Sequence, residues 1–168
     1  EGEASSIVMR LLYGTRMCRH DLLFAIQRLA CKFTKWTSLQ DKQLWTLMSY
    51  IESTAEDCLC SWIGDPPEDL HFALYADADF AGCSKTSRST SGLHLMLLGP
   101  SSCWPLAGQS KKQTNVSHST PEAEIVAADH TVRTHGVPAV DLWLLLLQRP
   151  GLKVQFREDN STAVTVLK

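Results

Sequence analysis

Large net charge, long apolar runs and patterned cysteines are all missing from this 168-residue chain. The formal net charge is −2, so bulk charge marks neither a basic nucleic-acid binder nor an acidic tail. Only the local distribution of charge can speak to partners. The six cysteines, Cys18, Cys31, Cys58, Cys60, Cys83 and Cys103, fit no zinc template, and Cys58-Leu59-Cys60 is one residue short of a CxxC. They read as reduced, mostly buried thiols rather than a disulfide framework. The block "VDLWLLLL" at 140–147 is far shorter than the roughly 20 apolar residues of a membrane span. No secretory leader opens the chain. A soluble, cytoplasmic protein with no membrane partner is expected.

What is present is globular. A hydrophobic share of 44% can fill one core, and the length allows one domain or one domain and part of a second. The chain begins without methionine and ends on "STAVTVLK", so it reads as a piece of something longer.

Residues 1–63 carry a helical period. "DLLFAIQRLACKF" puts Leu22, Leu23, Ile26, Leu29, Ala30 and Phe33 on one side, with Asp21 as an N-cap. "SLQDKQLWTLMSYIEST" repeats the pattern, with Ser38 as the cap. "GDPPEDL" at 64–70 breaks it. A boundary here gives a helical segment over 1–66 and a second domain over 67–168. Beyond it, "LHFALYA", "TSGLHLMLLG" and, more weakly, "SSCWPLAG" read as strands. A helix begins near Thr120 as cap, with Pro121 in its first turn and Glu122 and Glu124 near its positive end. Gly136 and Pro138 interrupt it. "AVDLWLLLLQR" is a further helix stopped by Pro150-Gly151, "LKVQFRE" a fourth strand, and "DNSTAVTVLK" a last helix capped by Asn160 or Ser161. Three strands, helices, strand, helix is the order of a mixed α/β sheet with helical cover. The five tryptophans read as core and helix-packing residues.

The carboxylates carry the chemistry. Period-two alternation puts His71, Ala73, Tyr75 and Asp77 on one face of the first strand. Asp79 follows at its end and suits the start of a turn. Each acid alone has an ordinary explanation: Asp77 ends a strand, Glu124 favours a helix start, and Asp159 sits at a strand-to-helix junction. Together they fall where α/β sheets collect functional groups. Clustered carboxylates repel, and a hard cation such as Mg²⁺ relieves that repulsion through oxygen ligands. Two ions roughly 4 Å apart can stabilise the attacking and leaving oxygens of a phosphodiester.

Between Asp79 and Glu122 there is no acid at all. That window holds Lys85, Arg88, Lys111 and Lys112, with Ser89, Thr90, Ser91 and Gln113 among many hydroxyls and amides. A basic, hydroxyl-rich surface beside an acidic cluster suits a bound phosphate backbone. A solvated loop explains the same residues. His118, His130 and His135 have no metal-ligand spacing; the last two are five residues apart rather than four.

"YADADFAG", "RSTSG", "W…SKKQTNVSHSTPEAE" and "EDNSTAV" occur in that order. The order and wording resemble the RNase H domain of copia-type retrotransposon polyproteins, which reads DADWAG, STSG, KKQ, TEAE and DNQSA, over residues 70–168. The preceding "TRMCRHDLLFAIQRLACKFTKW" resembles, at greater divergence, the connection segment that follows the polymerase palm.

The resemblance implies an RNase H-like fold behind a helical connection segment. It implies hydrolysis of the RNA strand of an RNA–DNA hybrid, with Mg²⁺ or Mn²⁺. Asp77, Glu124 and Asp159 would be catalytic metal ligands. Lys85, Arg88, Ser89, Thr90, Ser91, Lys111, Lys112, Gln113 and Asn160 would face the nucleic acid. The partners would be the hybrid and the upstream reverse transcriptase domain, inside a cytoplasmic virus-like particle. The family's fourth acid follows a histidine-containing segment beyond the DNQSA block, past Lys168. Phe80, Leu93 and Ile125 replace family aromatics. The alternative is an inactive RNase H-like module that grips hybrid duplex or serves as a structural part of a polymerase. An integrase-like strand-transfer enzyme also uses acidic triads, but the STSG and KKQ blocks disfavour it.

Overall fold

In the computed structural model, residues 2–147 and 154–167 are described. The chain divides into two units, Glu1–Leu59 and Cys60–Lys168.

The first unit is helical: α1 (Gly2–Cys18), α2 (Leu23–Ala30) and α3 (Ser38–Ser53). Val8, Leu22, Ile26, Leu29 and Leu47 form its core, with Phe33, Trp36 and Ile51 packed against it. The caps differ from expectation. Thr37, not Ser38, caps α3: its hydroxyl accepts from Leu39 N and Gln40 reaches back to it, closing a capping box. Asp21 caps nothing, because a 3₁₀ turn over His20–Leu22 precedes α2. Its carboxylate instead pairs with Arg19 at 2.9 Å. Arg19 also donates to the Thr54 carbonyl and hydroxyl at 2.9 and 2.8 Å, tying the approach to α2 to the end of α3.

The second unit is a mixed four-stranded sheet with helices, compatible with an RNase H-like fold. Its strands are β1 (His71–Asp79), β2 (Thr90–Gly99), β3 (Ser102–Lys112) and β4 (Val154–Arg157). The order is β3-β2-β1-β4. The first three form an antiparallel meander, and β4 runs parallel to β1. Such a parallel partner requires a crossover, and the crossover here carries α4 (Thr120–Thr131) and α5 (Val137–Leu147). The last element is α6 (Ser161–Leu167). The expected stop at Pro150-Gly151 lies outside the described residues.

β1 is buried at Phe72, Leu74, Ala76 and Ala78, the alternate face from Asp77. Phe72 and Leu74 join Leu95 and Leu97 in a core covered by Val140 and Trp143 of α5. Phe72 meets the Trp143 ring edge-on at 5.6 Å. Nearer the strand's end the packing turns to methyl groups: Ala76 and Ala78 against Ala123 and Ala127 of α4. A π-helical turn over Val132–Gly136 separates α4 from α5. A Cβ on Gly136 would lie 2.9 Å from Leu74 Cδ2, so any larger residue in this turn would have to push that leucine methyl aside. β3 runs longer than expected and carries Pro105 at a register shift opposite Leu95 and Met96; an edge strand or bulge tolerates proline.

Two composition-based expectations are corrected. Cys18, Cys31, Cys58 and Cys60 are exposed and Cys83 and Cys103 half-buried, so the cysteines are not mostly buried. Trp45, Trp62 and Trp104 are exposed. Only Trp36 and Trp143 pack against a core.

Candidate metal centre

Asp77 sits near the end of β1, opposite Gly92 of β2, where no side chain crowds it. Tyr75 pairs with Arg157 in the parallel ladder. Two residues farther on come Asp77, still within β1, and Asp159, just past the end of β4. Glu124 reaches them from α4, whose start is fixed by Ser119: the Ser119 hydroxyl accepts from Glu122 N at 3.3 Å. The Glu122 carboxylate is used locally, accepting from His118 N at 2.8 Å. Asp77, Glu124 and Asp159 each bring one carboxylate oxygen to within 4.8 Å of the others. Asp77 and Asp159 are exposed, and Glu124 is 4% exposed.

Burial pushes the Glu124 carboxyl up to about 7. The charges of Glu158, Asp77 and Asp159 push the same way, and the Ala78 backbone N–H opposes them. Among the described residues, Oε2 of Glu124 and Oε2 of Glu158 are buried with no hydrogen-bond partner. Oxygens around one hard cation lie at about 2.0–2.1 Å from it, so carboxylate oxygens within 4.8 Å of one another are close enough to share an ion. The donor set is all oxygen, and Glu124, one of its members, has a buried oxygen without a hydrogen-bond partner. It fits Mg²⁺ or Mn²⁺ and not a soft metal.

A cavity of about 500 Å³ opens beside Asp77, Glu158 and Asp159. Tyr75, His94 and Arg157 also line it. The Arg157 guanidinium lies 5.7 Å from the centre of the Tyr75 ring, a cation–π contact.

The surface expected to meet nucleic acid divides in two. Lys85, Arg88 and Lys111 are exposed. Ser89, Thr90, Ser91 and Gln113 are buried. Ser89 accepts from Ala81 N at 3.1 Å. Gln113 donates to Ser91 Oγ and to the Ala123 carbonyl, both at 3.0 Å, and ties β2 to α4. Their hydroxyls and amide brace the site from inside. Asn160 is likewise engaged: its Oδ1 accepts from Thr162 N and Ala163 N, capping α6. Lys112 donates to Cys83 Sγ at 2.9 Å. That contact, with help from Thr86, brings the Cys83 thiol down to about 6. His130 binds Gln109 at 2.8 Å.

Sequence reasoning did not single out Glu158, which lies beside Asp159 just past β4 and also lines the cavity beside Asp77; a strand of four residues carries too little alternation to mark it.

Comparison with known proteins gives one informative match. The chain is 31% identical over 131 residues to the retrovirus-related Pol polyprotein from transposon TNT 1-94 of Nicotiana tabacum. Over that stretch it is similar to a segment of a retrotransposon Pol polyprotein. The aligned part covers 76% of this chain and 9% of the relative. No family model matches, and no solved structure matches.

Proposed function

We propose that the chain is the RNase H-like part of a retrotransposon polyprotein and hydrolyses the RNA strand of RNA–DNA hybrids. The observation that carries this reading is Glu124, a buried carboxylate with an unpartnered oxygen that meets two exposed aspartates at the end of a parallel strand pair. Similarity to a Pol polyprotein segment supports the polyprotein context.

Asp77, Glu124 and Asp159 would hold Mg²⁺ or Mn²⁺. When bound, such ions lower the pKa of water and stabilise charge on a phosphodiester. Lys85, Arg88 and Lys111 are the exposed cations suited to the phosphate backbone. Hybrid would be distinguished from DNA duplex by 2′-hydroxyls and groove shape. The upstream polymerase domain of the same polyprotein is the expected partner, in a cytoplasmic virus-like particle.

A second reading is an inactive module that holds hybrid. The group that converges within 4.8 Å has three carboxylates, fewer than the family's four. Cleavage of a labelled hybrid in Mg²⁺ or Mn²⁺, alongside a binding assay, separates the two. Cleavage by the chain that Asp77→Asn abolishes supports the nuclease. Hybrid binding without cleavage overturns it in favour of the module.

A further inference from the structure

We propose that Glu158 is a fourth carboxylate of the cation site, adding its charge to the group that Asp77, Glu124 and Asp159 form. The inference rests on the cation-binding reading above and extends it to a residue outside the converging three.

Glu158 lies just past the end of β4 and lines the cavity that Asp77 and Asp159 also line. Its two oxygens have different fates. Oε1 accepts from Asn160 N at 3.1 Å, which steadies the turn that carries Asp159. Oε2 is buried and has no hydrogen-bond partner. Glu124, 4% exposed, leaves its own Oε2 in the same condition. Of the three acids acting on Glu124, Glu158 exerts the strongest charge effect. Two buried, unpartnered carboxylate oxygens on residues whose charges act on one another are costly unless a cation meets them. Glu158 is not among the three whose oxygens lie within 4.8 Å. Its reach to an ion therefore runs through metal-bound water, which Mg²⁺ retains readily. Glu158 is thus a positioning residue and a charge donor to the site.

Glu158→Gln isolates the charge. The amide oxygen still accepts the Asn160 N–H, so a purely structural role is preserved. Mn²⁺ binding to the whole chain is read by electron paramagnetic resonance, with melting curves to verify the fold. The expected result is Mn²⁺ binding by the unmodified chain, weakened about tenfold or more by Glu158→Gln. The variant should also melt higher than the unmodified chain without metal and gain less from added Mg²⁺. Unchanged Mn²⁺ affinity in a folded Glu158→Gln chain overturns this inference alone. No Mn²⁺ binding by the unmodified chain overturns the cation site itself and this inference with it. If Glu158→Gln does not fold, Glu158→Ser serves: it also removes the carboxylate charge, and unchanged Mn²⁺ affinity in that folded chain overturns the inference equally.

Discussion

Tyr75 and Arg157 face each other across the only parallel ladder among the described strands. Their register is what brings Asp77 and Asp159 level with one another. The ladder depends on β1 being anchored in the core, and Phe72 does much of that anchoring. Phe72 is fully buried. Phe72→Ala should cost about 3–5 kcal/mol, seen as a lowered denaturant midpoint, with Mn²⁺ affinity falling only as the folded fraction falls.

The two aspartates of "YADADFAG" should separate cleanly. Asp77 belongs to the converging group. Asp79 turns the chain: its carbonyl accepts from Gly82 N at 3.4 Å, and its carboxylate occupies the space a Gly82 Cβ would need. Asp77→Asn is expected to weaken Mn²⁺ binding by at least about tenfold. Asp79→Asn should leave that affinity unchanged, as isothermal titration would report.

The elevated Glu124 carboxyl makes a pH prediction with a definite sign. It sits near 7 in the fold against an ordinary 4.5. A raised acid stabilises the fold fully below its unfolded value and loses that contribution as pH rises through the folded value. With chelator present, stability should therefore fall between about pH 4.5 and 7. Glu158, also raised by burial, acts in the same direction. Glu124→Gln should flatten the fall, and Mg²⁺ should offset it in the unmodified chain. Urea melts across that range decide the matter.

Cys83 should behave as a thiolate at neutral pH. Its alkylation rate with iodoacetamide should reach half its maximum near pH 6, the value set chiefly by Lys112. Lys112→Met should move that midpoint upward. Peptide mass spectrometry distinguishes Cys83 from the exposed Cys18 and Cys31.

Asn160 offers a test of local structure. Replacing it with alanine removes both cap hydrogen bonds to α6 and should cost about 1 kcal/mol. Asn160→Asp keeps the acceptor and should retain most of that stability.

Much of the second unit was legible because its strands advertise themselves. "TSGLHLMLLG" is β2 residue for residue, and the buried face of β1 follows its alternation. The caps slipped by one residue, Thr37 for Ser38 and Ser119 for Thr120, since adjacent hydroxyl residues are chemically equivalent until the backbone chooses. Asp77, Glu124 and Asp159 stood out because each ends or begins an element. Glu158 did not, since a four-residue strand offers too little alternation to fix its parity. The burial of Ser89, Ser91 and Gln113 was not legible, because composition does not tell a hydroxyl or amide on the surface from one hydrogen-bonded inside.

The contact of Ala76 and Ala78 with Ala123 and Ala127 works as a ruler. Methyl groups set how closely α4 lies on β1, and so how far Glu124 reaches toward Asp77. Retaining the acids is therefore not enough to retain the site. A copy of this chain that kept every carboxylate but enlarged one of these alanines would lift the helix and part the acids. In sequences drifting free of selection, loss of these small residues would silence the centre as surely as loss of an aspartate, while leaving its familiar motifs intact.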